Sequence, residues 1–148
     1  MEYEILAAQL GDVAAWMALA DEVSKSFPGF CAQEYEKTLR KNILRGSALC
    51  VKFSGEIVGV LLYSLKAKCL SCMAVSPLHR QKGVGSLLVE KMIQSFPPDA
   101  EISVTTFREG DPLGDAPRAL YGKFGFADGE LIMEHGYPMQ KLVRNKSL

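Results

Sequence analysis

Two clusters in this chain pair residue types with spacings that could do chemistry. One runs Arg80-Gln81-Lys82-Gly83-Val84-Gly85-Ser86, a short basic stretch leading into Gly-x-Gly and then an amphipathic pattern to Ile93. A glycine turn that opens a helix leaves backbone N–H groups free at the positive end of the helix dipole, and such a place binds anions. The other is Cys69-x-x-Cys72, a spacing that invites a zinc or redox reading. It lies in Lys-Cys-Leu-Ser-Cys-Met-Ala-Val, which reads as a strand, where residues three apart point to opposite faces. No additional ligand pair accompanies it, and His79 and His135 lack metal-site spacing, so no metal is expected. The four cysteines, Cys31 and Cys50 included, read as free and mostly buried thiols.

Known phosphate loops narrow the glycine turn. A Walker A loop needs G-x-x-x-x-G-K-[ST], but here the lysine precedes the glycines. A dinucleotide fingerprint needs a third glycine where this chain has Leu88, and no βαβαβ continuation follows. Both nucleotide readings fail. What stays open is an anion site of another kind, or a glycine that only lets the helix pack against its strand.

The elements that must position these residues follow from periodicity. Tyr3 to Ala7 alternates like a strand, and Asp12 can cap a helix carrying Val13, Trp16, Met17, Ala20 and Val23. Another helix spans about Ala32 to Leu44, ended by Gly46. Ala48–Phe53 and Ile57–Tyr63 flank the hairpin signal Ser54-Gly55, and Cys69–Val75 follows, so strands two to four form an antiparallel meander. After the glycine helix, stopped by Pro97-Pro98, Ile102–Phe107 is a fifth strand. The step between strands four and five is a right-handed crossover that makes them parallel. A polar loop leads to a short helix starting at Pro117, and strands at Phe126–Glu134 and Pro138–Val143 complete the order βααβββαβαββ. This is a mixed α+β fold of about seven strands and four helices, one domain over residues 1–148.

Composition excludes several classes. The 148 residues are 48 % hydrophobic and 23 % charged, with 17 basic and 17 acidic side chains. That balance offers neither nucleic acid nor membrane a basic surface. No apolar run approaches the roughly 20 residues that span a bilayer. The N-terminus carries acids where a signal peptide carries bases, so the expected location is cytoplasmic.

Val75, Pro77, Arg80, Gly83 and Gly85 fit V-x-P-x-x-R-x-x-G-x-G, and Tyr121-Gly122-Lys123-Phe124-Gly125-Phe126 closes a helix onto a strand. In these two motifs, in their order and over nearly the whole chain, the sequence resembles the GNAT superfamily of acyl-CoA-dependent N-acetyltransferases. The glycine motif matches that family's [QR]-x-x-G-x-[GA]. The tyrosine motif is similar to its A-x-x-Y-x-x-x-G-F segment, with Ala119 displaced relative to the tyrosine. The resemblance implies acetyl-CoA as cofactor, its pyrophosphate cradled by the backbone of Gln81, Lys82, Gly83, Val84, Gly85 and Ser86, with Arg80 and Lys82 adding charge. It implies that the backbone of Met73, Ala74 and Val75 pairs with the pantetheine arm like an added strand. It places Tyr121 as the general acid for the leaving thiolate, with a backbone N–H near Met73 or Ala74 polarising the thioester carbonyl.

Two departures from the family pattern stand out. Strand four carries no glutamate, so the base is left to Glu134, His135, Glu109, Asp111 or a water chain, or is not needed because the amine arrives unprotonated. The asparagine common before the tyrosine is absent, with Gly114, Asp115 and Pro117 in that region. The implied reaction is direct attack of a primary amine, on a small molecule or a peptide, in a ternary complex. The acceptor is expected against Phe27 to Cys31 and the turn Glu134 to Pro138. Family members often dimerise through late strands, so a homodimer belongs to the same expectation. The alternative class is a non-catalytic acyl-CoA-binding or sensing module of this fold.

Overall fold

Ala48–Phe53 (β2) and Glu56–Ser64 (β3) are apolar at nearly every position, as strands covered on both faces must be, and their centres are buried. They lie within the sheet in the computed structural model, which describes residues 2–24 and 30–145. The other strands are β1 (Tyr3–Ala7), β4 (Cys69–Val75), β5 (Ile102–Phe107), β6 (Phe126–Glu134) and β7 (Tyr137–Arg144). The helices among the described residues are α1 (Val13–Val23), α2 (Ala32–Arg45), α3 (Val84–Gln94) and α4 (Asp115–Lys123). The sheet runs β1-β2-β3-β4-β5-β7-β6, and β4–β5 is its parallel pair. This is the mixed seven-stranded fold, in the element order, that the sequence led us to expect.

Each face of the sheet has its own core. On one, Leu49, Val51, Leu61 and Tyr63 pack against Val84, Leu88 and Met92 of α3 and Tyr121 of α4. On the other, Cys50, Val60 and Leu62 meet Trp16 and Leu19 of α1 and Leu39 of α2. Gly59 explains how α3 comes so close. A Cβ there would stand 2.5 Å from Val84 Cγ1 and 3.3 Å from Leu88 Cδ1. The Ser54-Gly55 hairpin has both residues at positive φ, 52° and 81°, the turn whose twist matches the flanking strands.

Three local expectations need correction. The fourth helix starts at Asp115, two residues before Pro117. A single 3-10 turn, Pro112–Gly114, precedes it and is capped by the Asp111 carboxylate, which accepts from Leu113 N at 3.0 Å. Proline lacks only an N–H that no first-turn residue uses, so it does not have to be the first. The last strand starts at Tyr137, because the turn before it needs just two residues.

The third correction concerns the cysteines. Against β3, Leu62 faces Cys72 and Tyr63 faces Leu70, so Ser71 is an extra residue in a β-bulge. The bulge cancels the strand's alternation, and Cys69 and Cys72 point to the same face, that of α1 and α2. All four thiols are free, but Cys50 is the buried one; Cys69 and Cys72 are half-buried and Cys31 is exposed. Among the described residues no His, Cys, Asp or Glu cluster is placed to hold a metal ion, and no helix is long and apolar enough to cross a membrane.

Candidate active site

β4 and β5 pair at two positions, Cys69 with Ser103 and Leu70 with Val104. Beyond them the strands part, and β4 from Ser71 to Val75 has no β5 partner although β5 continues to Phe107. An open strand edge is a row of free N–H and C=O groups able to accept another extended chain. Met73, Ala74 and Val75, all half-buried, lie on this edge, where the Val75 carbonyl is taken by the Arg80 side chain.

The glycine turn sits at the end of that strand. Gly83 is the N-cap of α3 at φ 85°, a left-handed conformation that favours glycine, and a Cβ there would meet nothing within 4 Å. Gln81 is also left-handed, at φ 61°. The first N–H groups of α3, from Val84, Gly85 and Ser86, precede the first intrahelical bond, which Leu87 N makes to Gly83 O at 3.1 Å. Gly85 serves another purpose: a Cβ on it would come within 2.9 Å of Leu120 Cδ2, so it admits α4 against α3.

The cations divide. Arg80 folds back to give Nε–H to the Val75 carbonyl at 3.2 Å, while Lys82 is exposed with no hydrogen bond or ion pair among the described residues. Lys123, which the motifs did not single out, donates from Nζ to Ser86 Oγ at 3.0 Å. It brings an ammonium from the end of α4 to the first turn of α3. The Tyr-x-Lys spacing was the available signal, with Lys123 two residues past the motif tyrosine.

Tyr121 is buried, its ring 5.9 Å from that of Phe126. Its hydroxyl has no hydrogen-bond partner, and no fully enclosed side-chain oxygen lacks one, among the described residues, so this oxygen keeps some access to solvent. Burial pushes its pKa well above that of a free tyrosine, and the nearby Cys72 adds to the shift. The group therefore keeps its proton. Cys72 itself is pushed up by burial, eased by the Tyr35 hydroxyl and the Leu62 backbone.

Across β4 from the glycine turn lies a pocket of about 400 Å³. Phe30, Cys31, Glu34, Tyr35 and Thr38 form one wall, Leu62, Ser71 and Cys72 the sheet side, and His135 the rim. Tyr35 is fixed there: Trp16 Nε1 donates to its hydroxyl at 2.8 Å, and the same oxygen contacts Cys72 Sγ at 3.4 Å. Of the loops expected to receive an acceptor, Phe30, Cys31 and His135 line the pocket, while Phe27, Pro28 and Gly29 lie outside the described residues. Among the expected base candidates His135 is the one at the pocket. Asp111 is engaged by Leu113 N and by the Tyr137 hydroxyl at 2.8 Å, and Glu109 and Glu134, exposed as His135 is, do not line the pocket.

A family profile described as the acetyltransferase (GNAT) family matches residues 16–126, well over half of the sequence. The chain belongs to the GNAT acetyltransferase family. Solved structures agree on the fold. An acetyltransferase of the GNAT family from Bacillus cereus superposes with a TM-score of 0.79 at 19 % identity, each chain covered over 100 %. The yncA protein of Salmonella typhimurium, solved with its cofactor acetyl-CoA, gives 0.75 at 14 % identity, covering 98 % of this chain and 94 % of that one. The ribosomal-protein-S18-alanine N-acetyltransferase of Escherichia coli gives 0.76 at 18 %, covering 99 % and 96 %. No curated protein matches the sequence. Within this GNAT fold, the unpaired stretch of β4 leads to the left-handed turn at Gly83, and the pocket lies on the α2 side of the same strand.

Proposed function

We propose that this protein is an acetyl-CoA-dependent N-acetyltransferase that moves an acetyl group to a primary amine by direct attack in a ternary complex. The observation that carries the reading is the parting of β4 from β5 beside the left-handed start of α3. The residues present fit acetyl-CoA: an open strand edge for its amides, and free helix-start N–H groups with open space over Gly83 for its pyrophosphate. Bound there, acetyl-CoA supplies the acetyl group as an activated thioester.

The chain's own residues divide the remaining work. The backbone from Gln81 to Ser86 holds the pyrophosphate, with Lys82 and Lys123 neutralising charge and Arg80 closing the turn onto β4. Met73, Ala74 and Val75 align the pantetheine arm. An N–H near Met73 or Ala74 polarises the carbonyl. Tyr121 holds the proton that the departing sulfur needs.

The primary test is thermal. Acetyl-CoA must raise the melting temperature, because a ligand bound to the native state stabilises it, by about 2.7 kcal/mol at a hundredfold excess over Kd. An unchanged transition would remove the cofactor from the reading.

A further inference from the structure

We propose that the pocket beside β4 takes a small cationic amine with an aromatic or aliphatic body and no carboxylate, and that His135 receives the proton this amine must shed. This rests on the acetyl-transfer reading above.

Charge gives one reason. Among the described residues Glu34 is the carboxylate lining the pocket, and neither lysine nor arginine lines it. Lys37 approaches Glu34 at 3.9 Å with both side chains mostly exposed, a pair that yields readily to a better placed ammonium. An acceptor bearing its own carboxylate or phosphate would face Glu34 with no lysine or arginine in the pocket lining to receive it. Shape gives another. The rings of Phe30 and Tyr35 lie 5.3 Å apart and, with Leu62, make an apolar wall. The Tyr35 hydroxyl is already held by Trp16 and Cys72, so Tyr35 offers the pocket its ring. An aromatic face beside a carboxylate suits a cation carrying an apolar body.

The proton acceptor follows from the turn opposite. His135-Gly136 joins β6 to β7 with φ of 52° and 76°, a two-residue turn that prefers Asn-Gly. Histidine, like asparagine, is enriched among the residues found at positive φ, and here the turn sets an imidazole at the pocket rim. Imidazole can accept a proton from an ammonium, an uphill transfer that release of the proton to water at neutral pH offsets. The groups facing it are Cys31, Glu34 and Tyr35 from α2 and its approach and Cys72 from β4. Glu134 and Tyr137 flank it on its own hairpin, and Tyr137 is bound to Asp111.

The step then balances. The ammonium gives one proton to His135, and the freed lone pair forms a bond to the thioester carbonyl carbon. The C–S bond breaks with its electron pair on sulfur, which takes the Tyr121 proton. The surplus proton on nitrogen restores Tyr121, and His135 releases its proton to water. The products are an amide, a free thiol and one proton.

A matched pair of probes tests this: phenethylamine and phenylalanine, which differ by one carboxylate. We expect kcat/KM about tenfold or more higher for phenethylamine, and the same order in affinity when binding is read by calorimetry with CoA and no turnover. Glu34→Gln should bring the two probes to within about threefold, by raising KM for phenethylamine. His135→Asn suits the turn and keeps the fold. It should lower kcat with KM unchanged and flatten the acidic limb of the kcat–pH profile. Phenylalanine equal or better than the amine, or a wild-type pH profile in His135→Asn, would overturn the proposal. Acetyl-CoA stabilisation without binding of either probe would overturn the acceptor class and leave the cofactor standing. No stabilisation by acetyl-CoA would remove both.

Discussion

The two sides of the cleft are built from different materials. The glycine-turn side presents main chain: the N–H groups at the start of α3, the free edge of β4 and one left-handed glycine. The pocket side presents side chains, from the approach to α2, the bulge of β4 and the β6–β7 turn, segments far apart in sequence. A backbone-built site depends on conformation, so adding atoms harms it more than removing them. A side-chain-built site depends on identity, so removing atoms harms it more.

Tyr121, the proposed acid, should give the largest effect. Tyr121→Phe is expected to lower kcat about 10²–10⁴-fold, the usual worth of a general acid, with acetyl-CoA stabilisation unchanged. Wild-type turnover would end its role. Because burial raises its pKa, the folded protein holds this proton more tightly than the unfolded chain does. Its contribution to stability is thus complete below about pH 10 and drains away as pH rises further. Denaturant titration across the alkaline range should show wild type losing stability relative to Tyr121→Phe as pH rises above about 10.

Gly83→Val comes next. A β-branched residue in the left-handed region costs about 1–2 kcal/mol, and the acetyl-CoA shift should fall by about tenfold in affinity. Gly85→Ala is the contrast: its new methyl meets the flexible end of Leu120, so cofactor binding should hold within about twofold. Equal losses would mean that both glycines touch the cofactor.

On the other side, Tyr35→Phe should cost about 1 kcal/mol of stability and raise acceptor KM without changing acetyl-CoA affinity. The smallest effect belongs to Lys123→Ala, about two- to fivefold weaker cofactor binding at low salt, fading as salt is added. A larger or salt-independent loss would show that this half, too, depends on side chains.

The same contrast governs what the sequence made legible. The bounds of β2, β4, β5 and β6 could be read because apolar runs end there at turn residues, as at Ser54-Gly55. Gly83 at a helix start was legible since few residues accept that φ. Lys123 was missed because its partner Ser86 is brought near only by the packing of α4 on α3 through Gly85. Glu34, Thr38 and Tyr35 were missed as pocket residues because on their own helix they read as an ordinary amphipathic pattern. The bulge at Ser71 leaves no local signature, and without it the two cysteines of β4 were assigned to opposite faces.

The two-rung junction between β4 and β5 has a mechanical consequence. Four strands on one side and three on the other meet at Leu70 and Val104 like two plates on a short hinge, bridged otherwise by helices. A molecule seated between the plates would act as a strut. Amide hydrogen exchange should then slow on Met73 to Val75 when acetyl-CoA is added, while the rungs at Cys69 and Leu70 stay as they were.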